Sequence, residues 1–188
     1  GYSVAAAGDV NADGYDDAII GALWFDNGQS NEGRAFLYLG SASGLSATAN
    51  WTGESDQADA CFGTTVANAG DVNGDGFSDV IVGAPFFDNG QTDEGRAFVY
   101  HGSATGLSAT ANWTAESDQA GAYYGRSVSR PGDLRRARRF PVQRERAGQH
   151  LHRRHPHPLR RAPGADGGCQ VGLEHQLHAC KLRLEGRH

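Results

Sequence analysis

The chain has 188 residues and a formal net charge of −5, which conceals two parts of opposite charge. Residues 1–130 hold 17 Asp and Glu against 4 Arg, whereas residues 131–188 hold 13 basic against 5 acidic side chains. The apolar runs fall far short of the ~20 residues that a membrane-spanning helix needs, and three unevenly spaced Cys do not make a disulfide framework. The sequence therefore predicts no membrane span and no disulfide-stapled fold.

An internal repeat dominates the acidic part of the chain. Residues 8–60 align with residues 70–122 at 39 identities in 53 positions, without insertion or deletion. We expect units at 1–62 and 63–124 and the start of a third at 125–134, because repeats stack into one architecture. Residue 1 falls inside a unit and the chain has no Met, so we also expect a fragment of a longer reading frame.

Each unit is predicted to contain four short strands. In the second unit they are residues 64–69, 79–85, 96–101 and the region around 112–114. The second is β-branched and apolar on both faces, the third alternates small and aromatic side chains, and Asp-Asn-Gly supplies a tight turn between them. Four antiparallel strands in a unit of about 62 residues predict an all-β fold, a fragment of a β-propeller built of four-stranded blades. A sandwich of short strands is the alternative.

An acidic loop joins the first two strands of each unit. Its sequence is DVNADGYDD at 9–17 and DVNGDGFSD at 71–79, which places oxygen-bearing side chains at the first, third, fifth and ninth positions. Calcium takes about 6 to 8 oxygen ligands, whereas magnesium prefers a small octahedron that retains water. The predicted Ca²⁺ ligands are the side chains of Asp9, Asn11, Asp13, Asp17, Asp71, Asn73, Asp75 and Asp79, with the backbone carbonyls of Tyr15 and Phe77.

This loop has two other possible interpretations. A helix-loop-helix calcium site, like a dockerin repeat, requires an acidic residue at the twelfth position, where this chain has Ile20 and Val82. A plain turn of Asp, Asn and Gly remains the alternative to a metal site. Residues 12, 15 and 16 differ from 74, 77 and 78, while every predicted ligand side chain is the same in both copies, and this favours the metal site.

The order Phe62-Gly63, acidic loop, Gly83-Ala84-Pro85 resembles the FG-GAP repeat of integrin α-subunit propellers and their bacterial relatives, over residues 1 to about 134. The first unit departs from it at Leu23, where the second has Pro85. The resemblance implies a propeller, usually of seven blades, that is secreted or displayed on the cell surface and carries structural calcium in its loops. It implies a non-enzymatic module for adhesion or interaction with an extracellular protein or glycan. The alternative function is the noncatalytic propeller portion of a secreted hydrolase or lyase.

Residues 135–188 abandon the repeat. From residue 131 onward the chain has 12 Arg and 7 His but a single aromatic, Phe140. A nucleic-acid-binding arm lacks an aromatic platform there, so we expect no nucleic-acid partner. A histidine metal tract at 150–157 is interrupted by Arg153 and Arg154. The favoured interpretation is a tail translated out of frame that cannot bury a core.

A few side chains outside the loops have two interpretations. Trp51 and Trp113 could stack on sugars, but packing on a sheet face is favoured. Asn50 and Asn112 begin Asn-Trp-Thr sequences that fit glycosylation acceptors, although a structural role is favoured. His101 is predicted to be a packed histidine rather than a ligand, and no nucleophile and base can be assembled around it.

Overall fold

The structure, a computed structural model, describes residues 1–130, which form two four-stranded antiparallel sheets. The first contains β1 (Ser3–Gly8), β2 (Asp17–Ala22), β3 (Arg34–Tyr38) and β4 (Trp51–Glu54). The second contains β5 (Thr65–Gly70), β6 (Asp79–Ala84), β7 (Arg96–Tyr100) and β8 (Trp113–Glu116). Strand order follows chain order in both sheets, which confirms the all-β prediction of four-stranded blades. The predicted tail at 135–188 lies outside the described residues.

The strands form where apolar, β-branched segments are bounded by turn residues. Val80 and Val82 on β6 are fully buried, and β6 pairs with β7 so that Val82 faces Phe98. The predicted turn ahead of β7 contains Gly90 at a φ of 109°, a backbone conformation that glycine adopts without a Cβ clash. Within residues 1–130, the structure contains no helix with the length and apolar character needed to cross a membrane.

The two sheets share one apolar core, and β1 packs beside β5. Phe62, in the connection between the sheets, is fully buried, with its ring 5.2 Å from that of Phe98 and 6.4 Å from that of Tyr100, measured between centroids. Trp51 stacks edge-on against Tyr100 at 4.8 Å, and its indole Nε1 donates to the carbonyl of Ser108 at 2.9 Å. Side chains of the first repeat therefore fill a junction with the second.

Comparison of equivalent residues in the two repeats shows which side chains this junction buries. Val10 is fully buried under the second sheet, while its equivalent Val72 is 49% exposed. Phe62 has an equivalent in Tyr124, which makes the same type of parallel bridge but is 40% exposed. Trp113, the counterpart of Trp51, is 49% exposed. The second repeat thus exposes the side chains that, in the first repeat, are buried at the junction. Within residues 1–130, no further sheet packs against them.

Candidate metal centre

The first aspartate of each acidic loop closes the loop by accepting backbone hydrogen bonds. The carboxylate of Asp9 accepts from the amide of Asp13 at 3.0 Å and from that of Gly14 at 2.9 Å. Asp71 does the same in the second sheet, with both corresponding amides at 3.0 Å. The two copies therefore share the same loop geometry.

The third and fifth positions of the loop contact each other. In the second copy, Asn73 Nδ2 donates to Asp75 Oδ2 at 2.7 Å and the amide of Phe77 donates to Asp75 Oδ1 at 3.0 Å. These two hydrogen bonds lower the pKa of Asp75, the one from Phe77 having the larger effect. In the first copy, Asn11 contacts Asp13 at 2.9 Å. A neutral amide at the third position donates a hydrogen bond where a carboxylate would repel its neighbours.

The ninth position is buried and joins the loop to a distant turn. Asp17 accepts from the amides of Val10 and Gly40, both at 2.8 Å. Burial raises the pKa of Asp17, opposed by these two hydrogen bonds and reinforced by the charges of Asp13 and Asp9. Asp79 likewise accepts from the amides of Val72 and Gly102, at 2.7 and 3.0 Å.

The donor set suits a hard cation, although the carboxylates do not converge on one point. Every predicted ligand offers oxygen, and a carboxylate oxygen that accepts one N–H retains a second lone pair. Asp9, Asn11 and Asp13 share one hydrogen-bonded loop, anchored also through the amide of Tyr15, while Asp17 faces backbone amides. Among the described residues, the set of three carboxylates with oxygens within 4.8 Å of one another lies elsewhere, at Glu94, Glu116 and Asp118.

His101 lies closer to the second loop than the sequence suggested. It is half-buried, and its Nδ1 is 3.3 Å from Asn73 Nδ2. His101 also contributes electrostatically to the lowered pKa of Asp75. Because Asp79 holds the amide of Gly102, the residue that follows β7 is drawn against the loop. Asn73 and His101 are 28 residues apart in the chain, so local sequence patterns do not predict their contact.

The tryptophan that begins the fourth strand of the first sheet and the asparagine that precedes the fourth strand of each sheet have structural contacts. Trp51 is packed in the junction between the sheets. Asn50 Oδ1 accepts from the amide of Leu39 at 3.0 Å, and Asn112 Oδ1 accepts from that of His101 at 2.8 Å. These asparagine side chains therefore close the connection between the third and fourth strands of each sheet.

The sequence of this chain is similar to a known repeat family and to several integrin alpha subunits. The FG-GAP repeat family matches residues 1–38 and 62–100. Integrin alpha-7 from Homo sapiens is 38% identical over 127 residues, which are 64% of this chain and 10% of that protein. Integrin alpha-6 from Gallus gallus is 31% identical over 141 residues, covering 71% of this chain and 12% of the relative. Integrin alpha-V from Gallus gallus is 40% identical over 114 residues, covering 58% and 10% respectively. The chain thus spans about a tenth of the length of these relatives.

Proposed function

The chain is built of FG-GAP repeats like those of integrin alpha subunits, and we propose that it is a stretch of a calcium-stabilised β-propeller that serves adhesion or protein interaction outside the cell. Residues 1–62 and 63–124 are its blades in this proposal. Its calcium is structural, its partners are extracellular proteins or glycans, and it has no enzymatic activity of its own.

The observation that carries the calcium assignment is the agreement between the two acidic loops. Every predicted ligand side chain is identical in both, and the hydrogen bonds of Asp9 recur at Asp71. Residues between the ligands vary, as Ala12 and Gly74 do. Each of the predicted ligand side chains also accepts a hydrogen bond from a backbone amide, as in a plain turn. Three carboxylates within nine residues would nevertheless repel one another without a cation, and this favours the metal site.

A structural role for the cation follows from where the first loop lies. The carbonyl of Asp9 accepts from the amide of Ser78 at 2.9 Å, and that of Val10 accepts from the amide of Ser103 at 3.0 Å. Both donors belong to loops of the second repeat, Ser78 just before β6 and Ser103 after β7. A cation that stiffens the first loop would therefore also stiffen the contact between blades, and its binding energy would be added to the stability of the folded state.

Calcium binding by the full chain tests the proposal. We expect dissociation constants on the order of 0.1 to 1 mM, the range of extracellular modules. Asp13→Ala and Asp75→Ala should each remove one equivalent of bound calcium in equilibrium dialysis. At about 10 mM calcium, each intact site should raise the free energy of unfolding by about 1.4 to 2.7 kcal/mol.

The matched control is Asp16→Ser, which changes an exposed loop aspartate that is not a predicted ligand into the residue of the second copy, Ser78. It should leave the number of bound calcium ions unchanged. If both alanine variants bind as much calcium as the unmodified chain, the loops are plain turns and the calcium assignment fails.

A further inference from the structure

Three carboxylates meet at the end of the second sheet that lies away from the acidic loop. Glu94 precedes β7, Glu116 ends β8, and Asp118 follows two residues later, with ligand oxygens within 4.8 Å of one another. The pairing of Arg96 with Glu116 brings the start of β7 beside the end of β8. The acidic loop is at the other end of β6, roughly 17 Å away at the rise of a β-strand. We propose that Glu94, Glu116 and Asp118 form a second, separate site for a hard divalent cation such as Ca²⁺.

Glu94 supplies an observation independent of this clustering. Its side chain is fully buried, and its Oε1 accepts a hydrogen bond from the backbone amide of Asn89. Its Oε2 is buried without any hydrogen-bond partner. A buried carboxylate oxygen that has lost its hydrogen bonds to water and has no protein donor in their place carries a large desolvation penalty. A cation held between the three carboxylates gives that oxygen its missing partner.

The charges around the cluster match a divalent ion. Glu116 accepts from Arg96 Nε at 2.7 Å and from Asn89 Nδ2 at 2.7 Å. Oε1 of Glu116 accepts one N–H from Asn89 and so retains a lone pair. A divalent cation bound to the three carboxylates beside the one guanidinium of Arg96 would leave the cluster electrically neutral.

The ligand types define the class of cation. The cluster offers oxygen without sulfur or imidazole nitrogen, which selects hard ions over zinc or copper. Glu94 is buried, Glu116 is half-buried and Asp118 is exposed. The exposed side gives room for water ligands, so three protein carboxylates can complete a shell of the size that calcium takes.

The first repeat provides an internal comparison. Glu32, the counterpart of Glu94, is also fully buried, and its two carboxylate oxygens have no partner within hydrogen-bond geometry. Glu54 accepts from Asn27 Nδ2 at 3.0 Å with each of its oxygens. Among the described residues, however, Glu32, Glu54 and Asp56 do not converge as Glu94, Glu116 and Asp118 do. The same residue types are present without the same site.

Asp118→Asn in the full chain tests the assignment. Asp118 has a φ of 55°, a left-handed conformation that Asn also adopts readily, so the substitution removes the charge and keeps the backbone. Titration with calcium chloride should show one bound equivalent fewer than in the unmodified chain. Asp56→Asn is the matched control, since Asp56 has a φ of 56° at the equivalent position, and it should leave the count unchanged.

A second experiment distinguishes calcium bound at this site from calcium bound in the acidic loops. In a chain that carries both Asp13→Ala and Asp75→Ala, one calcium equivalent should remain, and addition of Asp118→Asn should abolish it. Glu94→Gln should have the same effect as Asp118→Asn if that variant folds. The proposal is overturned if Asp118→Asn binds as many ions as the unmodified chain, or if Asp56→Asn loses an equivalent as well.

Discussion

The junction between the two sheets can be measured with one pair of substitutions. Val10 and Val72 occupy the same position in the two loops, but Val10 is fully buried against the second sheet and Val72 is 49% exposed. Val10→Ala and Val72→Ala remove the same two methyl groups from the same local structure. The difference between the two variants therefore reports the junction, because the effect of each substitution on its own loop cancels.

The expected magnitude follows from burial. Two fully buried methyl groups contribute about 1.6 kcal/mol at about 0.8 kcal/mol each, and the cavity that their removal leaves adds to this. We expect Val10→Ala to lower the free energy of unfolding by about 2 kcal/mol, a change of about 30-fold in the folding equilibrium. Val72→Ala should cost about half as much or less, since about half of its side chain is already in water.

Urea unfolding of the full chain, followed by tryptophan fluorescence, measures both variants. With a slope of about 2 kcal/mol per molar urea, Val10→Ala should lower the midpoint by about 1 M. The reasoning is refuted if Val72→Ala lowers the midpoint as far as Val10→Ala does. That result would mean that the valine stabilises its own loop and that its burial at the junction contributes nothing.

Two further predictions concern single positions of the first repeat. Ala12 has a φ of 56°, where the second repeat has Gly74 at 80°, and a left-handed alanine costs about 1 kcal/mol or more. Ala12→Gly should therefore raise the free energy of urea unfolding by up to about 1 kcal/mol, Gly74→Ala should lower it, and a destabilised Ala12→Gly would contradict this account. Burial raises the pKa of Glu32 above its ordinary value of 4.5, and the nearby backbone amides of Asn27 and Gln29, which lie outside hydrogen-bond geometry, oppose this rise. Its stabilising contribution is thus fully present below pH 4.5 and lost as the pH rises through the raised value. In thermal unfolding, Glu32→Gln, which cannot ionise, should become more stable relative to the unmodified chain as the pH rises through that range. The argument is refuted if the stabilities of the two proteins change with pH in parallel.

The sequence predicted what depends on local pattern. The second strand of the second unit is predicted to begin at Asp79, and β6 begins there, because a run of apolar residues directly follows the acidic loop. The turn at Gly90 could likewise be predicted, since Asp-Asn-Gly favours a turn with a positive φ. These features are determined by residues within a few positions of one another.

Contacts between strands could not be predicted in the same way. Val10 and Val72 are identical in sequence, and only the packing of a second sheet separates their burial. The meeting of Glu94 with Glu116 depends on the register of β7 against β8, which spacing along the chain does not define. The recurrence of these residues as Glu32 and Glu54 gives no signal for the site, because the described first repeat carries them without the three-carboxylate cluster.

Most positions of the junction carry the same or a chemically similar residue in both described units. Ser3 Oγ donates to the carbonyl of Gly63 at 2.9 Å, and Thr65 Oγ1 donates to that of Gly125 at 2.9 Å. The second unit therefore makes with the segment that follows it the same hydrogen bond that the first unit makes with the second. Duplication of one unit in the gene would therefore insert a blade whose two sides already fit its neighbours.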